Sequence, residues 1–268
     1  MSISLPRTVP DPSDDERRAM GRLERVRGPG GMRAALLALL VSPGHAARLR
    51  AWREETVLVS DAEEIRADIE SLAPPSRLPW FELLLARLGG TPLAERQALL
   101  RSARRVLAPP GHPLDRLLLL AMRRHFGDHA VGLVQAAPDA EISRFPPSDM
   151  LYIQRYTAHL ARMVPADDAD EGLRWYQAVM TRWLKPTDIP PWEKPDVDAL
   201  VHALNGLQAM SWIQRPQIVR AWVVCAFPPG RPGPLPPVAA DALRLSCLLL
   251  DSPLPPELAR QYVEVSLH

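Results

Sequence analysis

The chain has 268 residues, enough for one large or two small domains with a sizeable core. Apolar residues make up 47% of it, which is a globular composition and not a disordered one. With 32 basic and 31 acidic residues the formal charge is +1, so no global field draws the chain to nucleic acid or to an anionic membrane.

The N-terminus, MSISLPRTVPDPSDDERRAM, lacks the apolar core of a secretory signal. Residues 1–30 are polar and broken by Pro6, Pro10, Pro12, Gly28, Pro29 and Gly30, so they are expected to form a mobile tail with a turn or two of helix near 16–26. Helical patterning then runs from Met32 onward. The longest apolar runs, AALLALLV and LLLLAM, fall well short of the roughly 20 residues that cross a bilayer, so no membrane insertion is expected.

Three stripes of helical period stand out. Leu93, Leu100, Ala103 and Leu107 share one face; so do Ile153, Tyr156, Leu160 and Met163, and again Leu173, Tyr176, Met180 and Trp183. Ser60 with Glu63 reads as a capping box before Ile65 and Ile69. Thr91-Pro92 reads as a cap followed by a proline at the first helical position. Asp196 and Asp198 fall in a first turn, where the helix dipole favours carboxylates. Most of the 30 prolines lie between the periodic segments, where they stop one helix and start the next. The expected fold is all-α, with about a dozen helices on short connections and no alternating strand.

The chain also reads as a duplication. Aligning Pro109-Pro110-Gly111 with Pro228-Pro229-Gly230 gives an offset of 119 residues. Phe81, Leu85 and Leu88 then fall on Leu200, Leu204 and Leu207, Arg96 falls on Arg215, and the LLR at 99–101 falls on the IVR at 218–220. Two helical units are expected, over 31–140 and 148–268, either separate or as one continuous domain.

The stretches RLPWFELLLARLGGTPLAERQALLRSARRVLA and VHALNGLQAMSWIQRPQIVRAWVVCAF, the late DSPLPPEL and the leading MRAALLALLVSPGHAARLRAW carry a family resemblance. Together they are similar to the TerB-like helical extension that follows the protease domain of proteobacterial membrane-bound zinc metalloendopeptidases. The resemblance runs from about Met32 to Leu258 and implies a bacterial protein built from two TerB-like units. It departs from the family in three ways. No His-Glu-x-x-His zinc helix is present, and no transmembrane segment. The acidic corner that suits a divalent cation in TerB-like units is reduced to Asp115 in APPGHPLD and is absent from FPPGRPGPLPP. No metal site is carried over.

Several residues could bear chemistry. His125 and His129 have the spacing of two zinc ligands, but Gly127 lies between them and no third ligand is evident, so a helix end at HFGD is the alternative. Asp167, Asp168, Asp170 and Glu171 resemble the aspartate-rich helix that holds magnesium diphosphate in class I terpene synthases, without the second metal motif. Their other reading is an acidic first turn. The segment 96–125 sets Arg96, Arg101, Arg104, Arg105, Arg116, Arg123 and Arg124 against Asp115 alone. That face suits docking of an acidic protein, but it has no interleaved aromatics for stacking bases, which points away from nucleic acid. Trp175, Trp183, Trp192, Trp212 and Trp222 cluster in the second half. Trp192, in the loop IPPWEKP, is the one expected to be partly exposed.

No nucleophile motif and no phosphate-cradling glycine loop is present. Two cysteines, Cys225 and Cys247, are too few for a disulfide framework and suit a reducing, cytoplasmic compartment. The expected function is therefore a non-catalytic adaptor or regulatory protein with no cofactor, binding a protein partner through Arg101, Arg104, Arg105 and Trp192. The alternatives are an all-α magnesium-diphosphate enzyme or ligand binder using Asp167, Asp168 and Glu171, and RNA binding through the arginine face.

Overall fold

A computed structural model describes residues 9–108, 111–127, 145–227 and 233–265. Among the described residues the chain is all-α, with thirteen α-helices, one 3-10 turn at Pro186–Asp188 and no strand. It divides into two compact units, Met1–His129 with Tyr262–His268, and Ala130–Gln261. No helix among the described residues is long and apolar enough to cross a membrane.

The first unit holds α1 (Asp14–Arg25), α2 (Pro29–Leu39), α3 (Ala46–Thr56), α4 (Ala62–Glu70), α5 (Pro74–Leu88), α6 (Leu93–Leu107) and α7 (Pro113–Phe126). Its centre is α2, where five consecutive residues, Ala34 to Ala38, are buried. A helix apolar on every side belongs inside a bundle, and α2 packs against α3, α4, α5 and α6.

Residues 14–25, expected to hold a turn or two of helix within a mobile tail, form the three-turn α1 and pack on α4. Ala19 and Leu23 are buried. The polar composition misled because the decisive partner is remote in sequence. The buried Glu16 carboxylate accepts hydrogen bonds from the Ala73 N–H at 3.0 Å and the Ser76 hydroxyl at 2.6 Å. It thereby caps α5, whose own N-cap residue, Ala73, has no side chain to do so.

Pro79 sits inside α5. Lacking an N–H, it cannot bond the carbonyl four residues back. That carbonyl, Pro75 O, instead accepts from Val263 N–H at 3.2 Å, so the last described residues of the chain add to the first unit, not the second.

The second unit holds α8 (Pro147–Leu160), α9 (Ala169–Met180), α10 (Val197–Ala209), α11 (Gln214–Ala226), α12 (Pro237–Leu249) and the short α13 (Pro256–Ala259). The stripe Ile153, Tyr156, Leu160 and Met163 is fully buried, and α8 packs most extensively on α10. Helix α9 meets the end of α8 so closely that a Cβ at Gly172 would fall 1.8 Å from Ala161 O, which excludes any other residue there.

Two expected caps are replaced. Asp61, not Ser60, is the N-cap of α4, and Glu63 turns to Arg53 and Arg66. Pro92 is the N-cap of α6, and the Thr91 hydroxyl donates back to Leu88 O at 2.7 Å, closing α5 instead of opening α6. Asp196, expected in the first turn of α10, is instead its N-cap, accepting from Ala199 N–H at 2.7 Å, while Asp198 lies in the first turn. The Pro109-Pro110 and Pro228-Pro229-Gly230 corners lie outside the described residues.

Candidate functional site

Helix α6 presents one polar side. Arg101, Arg104 and Arg105 are exposed on it, while Leu99, Ser102, Ala103 and Val106 are buried beneath. The three arginines are not equivalent. Arg105 holds Glu55 of α3 through both of its oxygens, with Nη2 at 2.8 Å from Oε2. Arg33 of α2 reaches the same carboxylate at 3.1 Å and the Ser102 hydroxyl at 2.7 Å. These partners, the Arg105 hydrogen bond first, hold the Glu55 carboxyl down at about 2. Arg105 is therefore paired inside the unit, with its side chain still largely exposed. Arg101 and Arg104 make no ion pair among the described residues.

Beside this network a groove of about 260 Å³ opens between α2 and α6. Pro29, Gly30 and Arg33 form one wall, at the start of α2. Leu88 and Thr91, at the end of α5, close one end, and Glu95, Ala98 and Leu99 of α6 form the other wall. The lining is mostly apolar, with Arg33 and Glu95 as its charged members. The buried Nε of Arg33 has no hydrogen-bond partner.

Asp115, the acidic residue left at the first corner, is held by Arg48. The guanidinium Nη2 lies 2.6 Å from Oδ2 and Nη1 lies 3.2 Å from Oδ1. Only 3% of the Arg48 side chain is exposed. A Cβ at Gly111 would fall 1.6 Å from Asp115 Oδ2 and 2.2 Å from Arg48 Nη2, so the corner glycine lets the backbone lie against this ion pair.

The acidic cluster is a helix start. Asp168 is the N-cap of α9 and accepts from Glu171 N–H at 2.8 Å, with Asp170 and Glu171 in the first turn. Among the described residues no three His, Cys, Asp or Glu side chains gather as they would to hold a metal ion. His129 lies outside the described residues. His125 packs so near Gly89 that a Cβ there would fall 2.6 Å from Nε2. Gly127 does cap α7, with its N–H on Arg123 O at 2.8 Å, but at an ordinary φ of −63°. Cys225 is half-buried, and burial pushes its thiol up, away from the reactive thiolate.

Trp192 is half-buried. Its indole N–H donates to Ala158 O at 2.9 Å, and the Tyr176 hydroxyl donates to Pro190 O at 3.1 Å, so two aromatic side chains tie this loop to α8 and α9. Sequence reasoning missed Trp212, which is 74% exposed, with Ile213 exposed beside it. Its signal was present in the Ser-Trp-Ile-Gln run. Ser211 and Gln214 form a reciprocal capping box, Gln214 N–H to Ser211 Oγ at 3.3 Å and Ser211 N–H to Gln214 Oε1 at 3.2 Å. That box turns the two residues between them outward. No protein-family model matches the chain, and no curated protein or solved structure matches it.

Proposed function

We propose that this protein is a non-catalytic, cytoplasmic adaptor that binds an acidic protein partner through the α6 face. The observation that carries the reading is the pair Arg101 and Arg104. They stand exposed, one turn apart, without an ion pair among the described residues, while Glu55, the carboxylate that Arg105 of the same helix reaches, is already held by two guanidinium groups. Exposed like charges of this kind repel each other and are relieved by an acidic counterpart.

The resemblance to TerB-like extensions and the duplication belong to the same proposal. Helix α6 ends at Leu107 and α11 at Ala226, which are 119 residues apart, the offset of the repeat. Leu88 and Leu207, aligned by the same offset near the ends of α5 and α10, are both buried. These coincidences support two copies of one helical unit, one of which kept an arginine face.

The test is purification of the tagged protein from its own host with crosslinking and mass spectrometry, wild type beside Arg101→Glu/Arg104→Glu. A stoichiometric partner crosslinked to α6 in the wild type and lost from the double variant is expected. A partner retained by the variant, or a protein that purifies alone, would sink the reading.

A further inference from the structure

Resting on the adaptor reading above, we infer that the groove between α2 and α6 is the anchor pocket for an extended peptide segment of that partner. The segment places one apolar side chain in the groove and acidic residues immediately after it.

Size argues for a side chain. The groove holds about 260 Å³, below the roughly 300–1,000 Å³ of pockets that enclose a whole cofactor or drug-sized ligand. Its walls, Pro29, Gly30, Ala98 and Leu99, are apolar and suit an aliphatic or aromatic anchor.

Charge fixes the direction. Residues three, four and seven apart lie along one side of a helix. On α6, Glu95 therefore precedes Ala98 by a turn, Arg101 follows it by a turn, and Arg105 follows by two turns. The side of α6 that borders the groove is thus acidic at its start and continues into the buried Ser102 and Val106, with the exposed Arg101 flanking it one turn beyond Ala98. Arg33 and Arg105 share the single carboxylate Glu55, so that network stays net positive. An anchored segment is oriented with its carboxylates toward Arg101 and Arg105, about 5 to 10 Å along the helix at 1.5 Å per residue. That span is two or three residues of extended chain at about 3.3 Å each.

The probe is a phage-displayed library of random dodecapeptides panned on the purified full chain, with selected peptides then measured by fluorescence anisotropy. Ala98→Trp and Gly30→Leu each add bulk to a different wall of the groove, and a thermal melt identifies a variant that fails to fold. A Cβ at Gly30 makes only an ordinary 3.7 Å contact with Val59, and the melt shows whether the longer side chain is accommodated. The expected result is enrichment of one apolar residue followed within four positions by two acidic ones. Binding should weaken about tenfold or more in either folded groove variant, a loss of about 1.4 kcal/mol, and also in Arg101→Glu/Arg104→Glu. Acidic peptides without an apolar preference, or binding indifferent to a filled groove, would overturn the anchor pocket and leave the arginine face standing. Failure to enrich acidic peptides at all would overturn both.

Discussion

In the first unit, guanidinium groups join packed helices. Arg22 of α1 grips Asp68 of α4 with Nε at 2.9 Å from Oδ1, Arg48 of α3 holds Asp115 of α7, and Arg33 and Arg105 converge on Glu55. In the second unit the same task falls to neutral aromatic groups. The hydroxyls of Tyr156 and Ser246 share a hydrogen bond of 3.1 Å between α8 and α12. Trp222 of α11 donates to Thr157 of α8 at 2.9 Å, and its own carbonyl accepts from Trp175 of α9 at 3.2 Å. The rings of Tyr156 and Trp222 stack at 5.3 Å. The ties named here are charged in the first unit and aromatic in the second, although the second also pairs Arg215 with Asp251 at 3.4 Å and the first also ties Trp52 to Ala34 O at 3.0 Å, so the two should answer differently to truncation and to acid.

The largest effect is expected where one side chain carries most links. Trp222→Ala removes a fully buried indole, its stack and its hydrogen bond to Thr157. It should cost the second unit about 3–5 kcal/mol, read by urea unfolding. Trp222→Phe should keep much of the packing and lose less. A loss under about 1 kcal/mol for the alanine variant would mean that α8, α9 and α11 are not held as described.

The first unit should show the opposite logic. Arg48→Met strands the Asp115 carboxylate in a nearly closed site and should cost about 3 kcal/mol or more, whereas adding Asp115→Leu should recover most of that loss. Such recovery is peculiar to charge pairing, because it comes from removing a second partner. A double variant no more stable than Arg48→Met would show that the pair contributes shape and not charge.

Much of this architecture was legible in the sequence, for a physical reason. Helical periodicity is local, so the buried stripe of Ile153, Tyr156, Leu160 and Met163 announced itself. What escaped depended on partners far along the chain. Glu16 gave no sign that it caps α5, because the donors its carboxylate accepts from, Ala73 N–H and the Ser76 hydroxyl, lie 57 and 60 residues away. Ser60 lost its capping role because Glu63 finds two arginines instead. The arginine face was legible as a charge run. That Arg105 is engaged while Arg101 and Arg104 are not was hidden, because it turns on Glu55, 50 residues from Arg105. The groove was invisible for the same reason, since it exists only where the start of α2 meets α6.

Acid supplies the mildest separation of the two units. The Glu55 carboxyl sits at about 2 when folded, mainly through the Arg105 hydrogen bond, against about 4.3 in an unfolded chain. A depressed carboxylate contributes stability that is fully present above the unfolded value and is lost as pH falls through the folded one. Between pH 5 and pH 2 the first unit should therefore lose stability more steeply in the wild type than in Glu55→Gln, which has no proton to take up. In the second unit, burial raises both Tyr156, above its ordinary range, and Tyr176, to about 12, so these two phenols stay neutral throughout that window. Urea unfolding at half-unit pH steps, read on each unit by hydrogen exchange, measures both slopes. Coincident slopes for the wild type and Glu55→Gln would remove the Arg33–Glu55–Arg105 network from the forces that hold α2, α3 and α6 together.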